Sequence, residues 1–280
     1  LSLVGSEMCI RDSYYHQLGE KQIKDKFIFG GNKHPNRYIF SFVTEDQNYL
    51  VISASTTTSG NKLFVKSLQE KNSELISIQN DYLSECSYVY NQGNQFYLST
   101  NKDAPNFRLV TLDLSNPKKW VDVIPEKSNV LNVSTGGGYF FCNYLVDAKS
   151  QVEQYDLTGN LIYKVPLPGV GSAGGFSAKS DETELYFSFS SYIYPRTIYK
   201  YNIQKGESVL YEKPKVDFNS EDFISKQIFF ESRDGTTIPM FITHKKGIIN
   251  EGDNPTILYG YGGFNTVSYT HLTLPTKRIV

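Results

Sequence analysis

The chain has 280 residues, which is enough for one large domain or two ordinary ones, and its formal net charge is −1. The 28 basic and 29 acidic side chains are mixed along the sequence, with neither a basic stripe nor a basic amphipathic segment. The sequence therefore predicts no nucleic-acid partner and no binding to a membrane surface, and no apolar run approaches the roughly 18 residues of a membrane span.

The two ends of the chain do not fit the pattern of its interior. Residues 1–13 match neither a strand nor a signal peptide, because they lack a basic segment, an apolar core and an initiating Met. Residues 269–280 follow a glycine-rich segment without any helical pattern. We therefore expect both ends to be non-native flanks around a genuine interior, 14–268.

Cysteine and histidine are too sparse for a disulfide framework or a metal site. The three cysteines are an odd number without metal-ligand spacing, and the four histidines are scattered. We expect no metal, and a thiol-reducing compartment: the cytoplasm, with the periplasm as the alternative. Cys86 and Cys142 lie in or beside predicted strands, where we expect them to be buried as small hydrophobic residues.

Between residues 39 and 214 the sequence repeats about every 45 residues. Strands that end in a small polar residue recur at Ser53, Ser99, Asn143 and Ser188, with spacings of 46, 44 and 45. Tyr and Phe are abundant, as is typical of strands. Four short antiparallel strands per repeat indicate a β-propeller. We predict four whole blades, preceded by half a blade that includes 14–18 and 27–29.

After residue 214 the pattern changes to that of a second domain. We predict a polar linker over 215–225 and a hairpin of 226–232 with 237–245 around the turn signal Asp234-Gly235. The apolar run 256–259 then predicts a strand buried on both faces, as in a parallel α/β sheet. Tyr261 and Phe264 follow among glycines, at the strand end where open sheets bind ligands.

Two patterns near the middle of the chain predict neither a cofactor site nor a nucleophile. Gly169, Gly171 and Gly174 have the spacing of a dinucleotide-binding loop, but the segment follows no parallel strand and opens no helix. Ser172 lies among glycines like a hydrolase nucleophile, yet Val170 stands where that motif requires its first glycine. We interpret the segment as a connection between blades.

Other polar side chains of this region are predicted to be structural. Four carboxylates are expected in solvated turns, namely Asp147, Asp181, Glu182 and Glu184. Strand alternation is expected to divide four neighbouring tyrosines between core and surface. They are Tyr192, Tyr194, Tyr199 and Tyr201.

The most specific stretch, Leu-Tyr-Gly-Tyr-Gly-Gly-Phe-Asn at 258–265, resembles a segment of the prolyl oligopeptidase family of serine peptidases. Segments 105–109, 144–147 and 232–236 are similar to the same family. The resemblance implies a seven-bladed propeller that caps an α/β-hydrolase domain. It further implies a monomer without metal or organic cofactor, whose Ser-Asp-His triad cleaves short proline-containing peptides on the carboxyl side of proline.

The resemblance also implies roles for two residues. The phenol of Tyr261 would stabilise the oxyanion of the tetrahedral intermediate, and Phe264 would line the substrate pocket for the proline ring. No triad residue can be carried over to this sequence. We therefore expect a mostly β chain: four to five propeller blades over 14–214, then a linker and the first strands of the α/β-hydrolase domain over 215–268. We expect this chain by itself to be inactive.

One alternative of a different class stays open. A non-catalytic β-propeller that binds a protein or peptide partner would explain the repeat and the missing triad. It would not explain the glycine-aromatic segment after Pro255.

Overall fold

The computed structural model of the chain describes residues 12–31, 37–70, 72–217, 219–248 and 252–260. This part of the chain contains twenty β-strands and two short 3-10 turns, and it contains no α-helix. All strand pairs are antiparallel. The first two strands, β1 (Ser13–Tyr15) and β2 (Lys26–Phe29), form a two-stranded sheet where half a blade was predicted.

Four sheets follow, each of four strands joined in sequence order, which is the topology of propeller blades. Blade I consists of β3 (Tyr38–Val43), β4 (Tyr49–Ser55), β5 (Lys62–Ser67) and β6 (Leu75–Gln79). Blade II consists of β7 (Cys86–Gln92), β8 (Gln95–Thr100), β9 (Arg108–Asp113) and β10 (Val121–Ile124). Blade III consists of β11 (Leu131–Gly136), β12 (Tyr139–Val146), β13 (Lys149–Tyr155) and β14 (Leu161–Lys164). Blade IV consists of β15 (Ser172–Ser177), β16 (Glu184–Ser191), β17 (Tyr194–Asn202) and β18 (Glu207–Glu212).

The four predicted blades are therefore confirmed, and a final two-stranded sheet follows them. It consists of β19 (Phe223–Glu231) and β20 (Thr237–Lys245), the predicted hairpin. The chain divides into two compact units, residues 1–128 and 129–280, each with its own core.

In the first unit, blades I and II pack through a shared core of buried side chains. Val51 and Val65 of blade I and Phe96, Leu98 and Val110 of blade II have no exposed surface. Burying a side chain of this size contributes about 1.5–3 kcal/mol. Cys86 is part of the same core, as predicted, and its burial raises the pKa of the thiol to about 12.

The opposite face of blade I is buried as well. Ile52, which follows Val51 and therefore points the other way, has no exposed surface. It packs in a second cluster that includes Phe29 of β2 and Phe64 of β5, whose ring centroids are 5.1 Å apart. The central strands of blade I are thus apolar on both faces because blade II covers one face and the half-blade covers the other.

In both units, one polar side chain makes hydrogen bonds to both the amide and the carbonyl of a residue in the next blade. We call this pair of hydrogen bonds a bracket. The side-chain amide of Asn61 donates to the carbonyl oxygen of Cys86, and its oxygen accepts from the Cys86 amide, both at 2.8 Å. The Ser150 hydroxyl makes the same two contacts with Ala173, accepting from its amide at 3.0 Å and donating to its carbonyl at 3.3 Å. Asn61 immediately precedes the third strand of its blade and Ser150 lies in the third strand of its own, and each binds the first strand of the next blade.

In the second unit, aromatic rings dominate the core between blades III and IV. Phe176 and Phe187 stack with centroids 4.6 Å apart, and Phe141 meets Tyr201 edge to face. The Tyr201 hydroxyl donates to Gln154 at 2.7 Å, and burial raises the pKa of this tyrosine.

The expected division of the four tyrosines between core and surface is wrong. Tyr199 and Tyr201 lie two residues apart on β17, so both face the same cluster, in which Tyr194 also packs. The hydroxyls of Tyr194 and Tyr199 lie 3.0 Å apart. Tyr192 lies in the turn between β16 and β17 and is half-buried.

Two expectations for the last part of the chain also need correction. The run 256–259 is not a buried strand: it pairs with no described strand, and Ile257 and Leu258 are more than half exposed. A strand buried on both faces needs paired strands beside it and covering elements above and below, and the described residues provide none at this position. The linker is shorter than 215–225, since the turn Ser220–Asp222 and then β19 replace its end.

A glycine that the connection between blades I and II approaches closely should tolerate no side chain. Gly60 has φ +75°, and a Cβ added there would lie 2.0 Å from the carbonyl oxygen of Tyr82. We expect Gly60→Ala to lower the free energy of unfolding in urea by about 3 kcal/mol or more, because overpacking adds to left-handed backbone strain. Gly93, with φ +54° and no atom near its Cβ position, is the control: Gly93→Ala should cost only about 1–2 kcal/mol. Equal losses would contradict the close approach.

Removing the bracket between blades I and II should destabilise the chain. Asn61→Ala leaves the amide and carbonyl of Cys86 without their partner in a buried position, so we expect a loss of about 2 kcal/mol in urea unfolding. Asn80 is exposed and accepts a hydrogen bond only at the surface, from Lys62. Asn80→Ala should therefore change stability by less than about 0.5 kcal/mol. A similar small effect for both variants would show that the bracket carries no stability.

Candidate functional site

The two residues predicted to act on substrate, Tyr261 and Phe264, lie outside the described residues. Their roles stay predictions. The described segment before them, 252–260, has no regular secondary structure, and Tyr259 is half-buried within it. The described geometry therefore concerns the β19–β20 hairpin that precedes this segment in the chain.

The turn of the β19–β20 hairpin is stabilised by side-chain hydrogen bonds as well as by its Asp-Gly sequence. Residues from Phe223 to Glu231 pair in unbroken register with those from Lys245 to Thr237. In the turn, Gly235 has φ +81°, and Asp234 accepts from the Ser232 hydroxyl and from the Thr236 amide. These hydrogen bonds stabilise the ionised carboxyl and lower the pKa of Asp234 to about 2.

One face of the hairpin carries two residues that contact blade turns. Gln227 and Phe241 are directly opposite each other in the two strands, and side chains at such positions lie on the same face. Phe241 is the buried hydrophobic residue of the hairpin, with 6% of its surface exposed, and Gln227 beside it is half-buried. This face is therefore the one directed at the blades.

Gln227 binds the turn between β12 and β13 of blade III. Its side-chain NH₂ donates to the backbone carbonyl of Asp147. Its side-chain oxygen accepts from the Lys149 ammonium at 3.1 Å. Both ends of the amide are thus engaged by residues that flank the buried Ala148.

Phe241 binds the corresponding turn of blade IV. Its ring lies against Tyr192, with centroids 5.2 Å apart and planes inclined by 57°. A contact of this kind is typical of aromatic pairs that stabilise beyond the area they bury. The hairpin consequently rests on the β12–β13 and β16–β17 turns, one contact polar and one aromatic.

The remaining candidates have structural positions. Gly169 and Gly171 precede β15, and no helix follows them, so the loop interpretation is confirmed. The loop interpretation is wrong for Ser172 and Gly174, because both lie within β15 itself. The turn residues Asp147, Asp181 and Glu182 are exposed as expected.

The expected turn position of Glu184 is wrong, because this residue begins β16 and forms an ion pair with Lys200 at 3.1 Å. The described residues contain no group of three His, Cys, Asp or Glu side chains that could hold a metal ion. Nor do they include a helix that is long and apolar enough to cross a membrane.

Comparison with known proteins places this architecture in a family. The sequence profile of the family described as "Prolyl oligopeptidase, N-terminal beta-propeller domain" matches residues 12–214. The chain belongs to the prolyl oligopeptidase family. The resemblance noted in the sequence is thereby confirmed, and the blades described above are blades of this family's propeller.

Relatives in this family include curated peptidases. A "Prolyl endopeptidase" of Elizabethkingia miricola is 50% identical over 254 residues, which are 90% of this chain and 36% of that protein. "Prolyl oligopeptidase A" of Galerina marginata is 32% identical over 264 residues, again 90% of this chain and 36% of the relative. The chain thus spans little more than a third of the curated relatives it matches.

Solved structures of the family have the same fold. One, from a study of two prolyl endopeptidases, superposes with a TM-score of 0.83 at 32% identity. This match covers 94% of the present chain and 39% of the chain in that structure. Prolyl oligopeptidase B of Galerina marginata, bound to a 35mer hydrolysis and macrocyclization substrate, gives a TM-score of 0.85 at 28% identity. That match covers 93% of this chain and 38% of the other.

Sequence reasoning missed the contacts of Gln227 and Phe241. Counting outward from the Asp234 turn shows that both residues lie seven positions away, and so opposite each other. That symmetry would have identified a shared face. It would not have identified the blade turns, because Asp147 and Tyr192 are distant in sequence and their contacts are set by tertiary packing.

Truncating the buried ring of the hairpin should loosen its contact with blade IV. We expect Phe241→Ala to lower the free energy of unfolding by about 3 kcal/mol, measured by denaturant titration, because it leaves a cavity against Tyr192. Phe229 lies on the same hairpin face but is 52% exposed, so Phe229→Ala should cost less than about 1 kcal/mol. If the two variants lose the same stability, the ring contact does not hold the hairpin.

Proposed function

We propose that this chain is the propeller part of a serine endopeptidase that hydrolyses short peptides on the carboxyl side of proline. The observation that supports the proposal most is the 50% identity, over 90% of the chain, to a protein named prolyl endopeptidase. The family match to the propeller region supports it independently of that relative. Because the chain spans 36% of that relative, the proposal concerns the whole protein.

The proposal divides the work between two domains. The propeller limits access to peptides short enough to reach the reaction chamber, and the hydrolase domain performs the chemistry. A serine oxygen attacks the carbonyl carbon of the proline residue, and a histidine passes the serine proton to the departing amine. Water then hydrolyses the acyl-enzyme. We assign this triad to sequence beyond the 280 residues and propose that the chain alone is inactive.

Within this chain, Tyr261 is the proposed catalytic residue. A phenol O–H aimed at the developing oxyanion is a preorganised donor, and such donors are typically worth about 3–4 kcal/mol in acyl transfer. Phe264 offers a flat apolar face for the pyrrolidine ring of proline. Gly260, Gly262 and Gly263 leave space for the backbone of the peptide.

The remaining parts of the proposal concern the oligomeric state and location of the peptidase and the cofactors and partners that it lacks. The peptidase acts as a monomer in the cytoplasm, without metal or organic cofactor, and binds neither nucleic acid nor membrane. The even charge balance supports the absence of nucleic-acid and membrane partners, and the scarcity of cysteine supports the cytoplasm.

The experiment that tests the proposal uses the full-length protein that carries this chain, with a fluorogenic proline peptide as substrate. Wild type should cleave after proline, and Tyr261→Phe should lower kcat by roughly a hundredfold or more with little change in KM, because the lost donor acts only in the transition state. Tyr259→Phe, two residues earlier in the same segment, is the matched control and should retain kcat within about threefold.

Two outcomes would count against the proposal. Unchanged kcat in Tyr261→Phe would remove the oxyanion role. A full-length wild type that cleaves no proline peptide would overturn the peptidase function and favour the alternative, a propeller that only binds a partner.

A further inference from the structure

The connection between β1 and β2, residues 16–25, is closed by a contact between its two ends. Nδ1 of His16 lies 2.6 Å from a carboxylate oxygen of Asp25, so the first and last residues of the connection are bonded to each other. The amide of Asp25 also donates to the carbonyl of Gln22 at 2.9 Å. Compact surface loops whose ends meet in this way frequently have a function. We call residues 16–25 the closed loop.

The closed loop presents two large apolar side chains almost entirely to solvent. Leu18 is 92% exposed and Ile23 is 91% exposed. Among the large hydrophobic residues that the structure describes, only Leu83 is exposed to a similar degree, at 93%. One exposed leucine is ordinary on a protein surface, but two such side chains on one short loop are not. Their burial is therefore available to a partner.

The charges of the closed loop leave positive groups beside these apolar side chains. Its two acidic side chains are each paired with a basic side chain of the same loop: Glu20 with Lys24, and Asp25 with His16. Lys21, and Lys26 directly after the loop, are exposed and form no ion pair with any described residue. A partner of complementary charge is therefore acidic.

We propose that the closed loop is a docking site for an acidic amphipathic segment of a partner protein. In this complex, Leu18 and Ile23 pack on the apolar stripe of the segment, and Lys21 and Lys26 pair with carboxylates on its two sides. Because the ends of the loop are already joined, binding costs little additional ordering, which favours affinity. The site is independent of the peptidase function proposed above.

A membrane surface fits the closed loop less well than an acidic protein segment does. Recognition of anionic lipids typically uses clusters of about 4–8 basic residues or a long amphipathic helix. The closed loop offers the ammonium groups of Lys21 and Lys26 and a single 3-10 turn, Gln22–Lys24. Binding to anionic vesicles is therefore an outcome that the test must distinguish from binding to a peptide.

The test uses the intact protein that carries this chain and a defined probe, a helical peptide with leucines along one face and glutamates on both sides of them. Binding is measured by fluorescence anisotropy. The double variant Leu18→Ser, Ile23→Ser should bind the peptide at least tenfold more weakly than wild type, because both apolar anchors are lost. The matched control is Leu83→Ser, which removes an equally exposed leucine outside the loop and should leave binding within twofold of wild type.

The charge contribution has its own variants. Lys21→Glu with Lys26→Glu should weaken binding of the peptide about tenfold, and the affinity of the wild type should fall as salt is added, because exposed charges are screened. Lys118→Glu with Lys119→Glu makes the same change of charge at two exposed lysines outside the loop and should alter binding less than twofold.

The closure of the loop is tested by Asp25→Ala. This substitution removes a negative charge, which by itself would strengthen binding of the acidic peptide. It also removes the contact with His16 that joins the ends of the loop. We expect binding to weaken about threefold or more, because an open loop must be ordered on binding. Tighter binding by Asp25→Ala would contradict the role of the closed shape.

Several outcomes would overturn the docking site. Wild type that does not bind the peptide would do so, as would a loss of binding in Leu83→Ser equal to that in the loop variant. Loop-dependent binding to vesicles of phosphatidylserine and phosphatidylcholine, without binding to the peptide, would assign the loop to a membrane. If wild type associates with itself in sedimentation and the Leu18→Ser, Ile23→Ser variant does not, the occupant is a second copy. If that variant is less stable in urea and wild type ignores the peptide, the loop packs within its own molecule.

Discussion

Blade I has two apolar faces and therefore cannot be stable by itself. The constraint is visible in consecutive residues of β4: Val51 and Ile52 point in opposite directions, and both are completely buried. Val51 is covered by blade II, and Ile52 packs with Phe29 of the half-blade. A single sheet in water would expose one of these sets. Within each compact unit, consecutive blades bury apolar side chains against each other, as neighbouring repeats do in repeat proteins.

Apolar packing would leave the first strand of each blade with unsatisfied backbone groups, because that strand lies at the edge of its sheet. Buried backbone amides and carbonyls need partners, and an exposed edge also invites pairing with other chains. Asn61 and Ser150 meet the need with one side chain each, accepting from and donating to the same residue of the neighbouring blade. Two chemically different residues perform this role at equivalent places. The requirement is therefore for a short side chain that both donates and accepts, and the amide and hydroxyl groups both qualify.

Sequence reasoning predicted the features that depend on residues close together in the chain, and it missed those that depend on contacts between distant residues. Small polar residues such as Ser53 and Ser99 revealed the period because alternation and turn residues act within a few positions, although β4 and β8 end later than predicted. The Asp234-Gly235 turn revealed the last hairpin for the same reason. The run 256–259 has the composition of a buried strand, but burial depends on neighbours that composition does not supply. Likewise, nothing near Gln227 in sequence indicates Asp147, since 80 residues separate the two. The predicted roles of Tyr261 and Phe264 came from resemblance, and the described residues do not test them.

The two faces of the hairpin carry different side chains, and the difference determines how the hairpin contacts the blades. One face meets the blades through a single buried ring and one polar side chain. The other carries Ile228, Met240 and Ile242, all half-buried. A permanent interface would place its largest apolar area against the partner, as a domain core does, whereas contacts between domains that move are smaller and more polar. The contact of this hairpin with the blades is small and partly polar, since it consists of one ring against Tyr192 and one amide against the 147–149 turn. The half-buried apolar side chains lie on the opposite face, so the position of the hairpin on the blade turns depends on these two side chains.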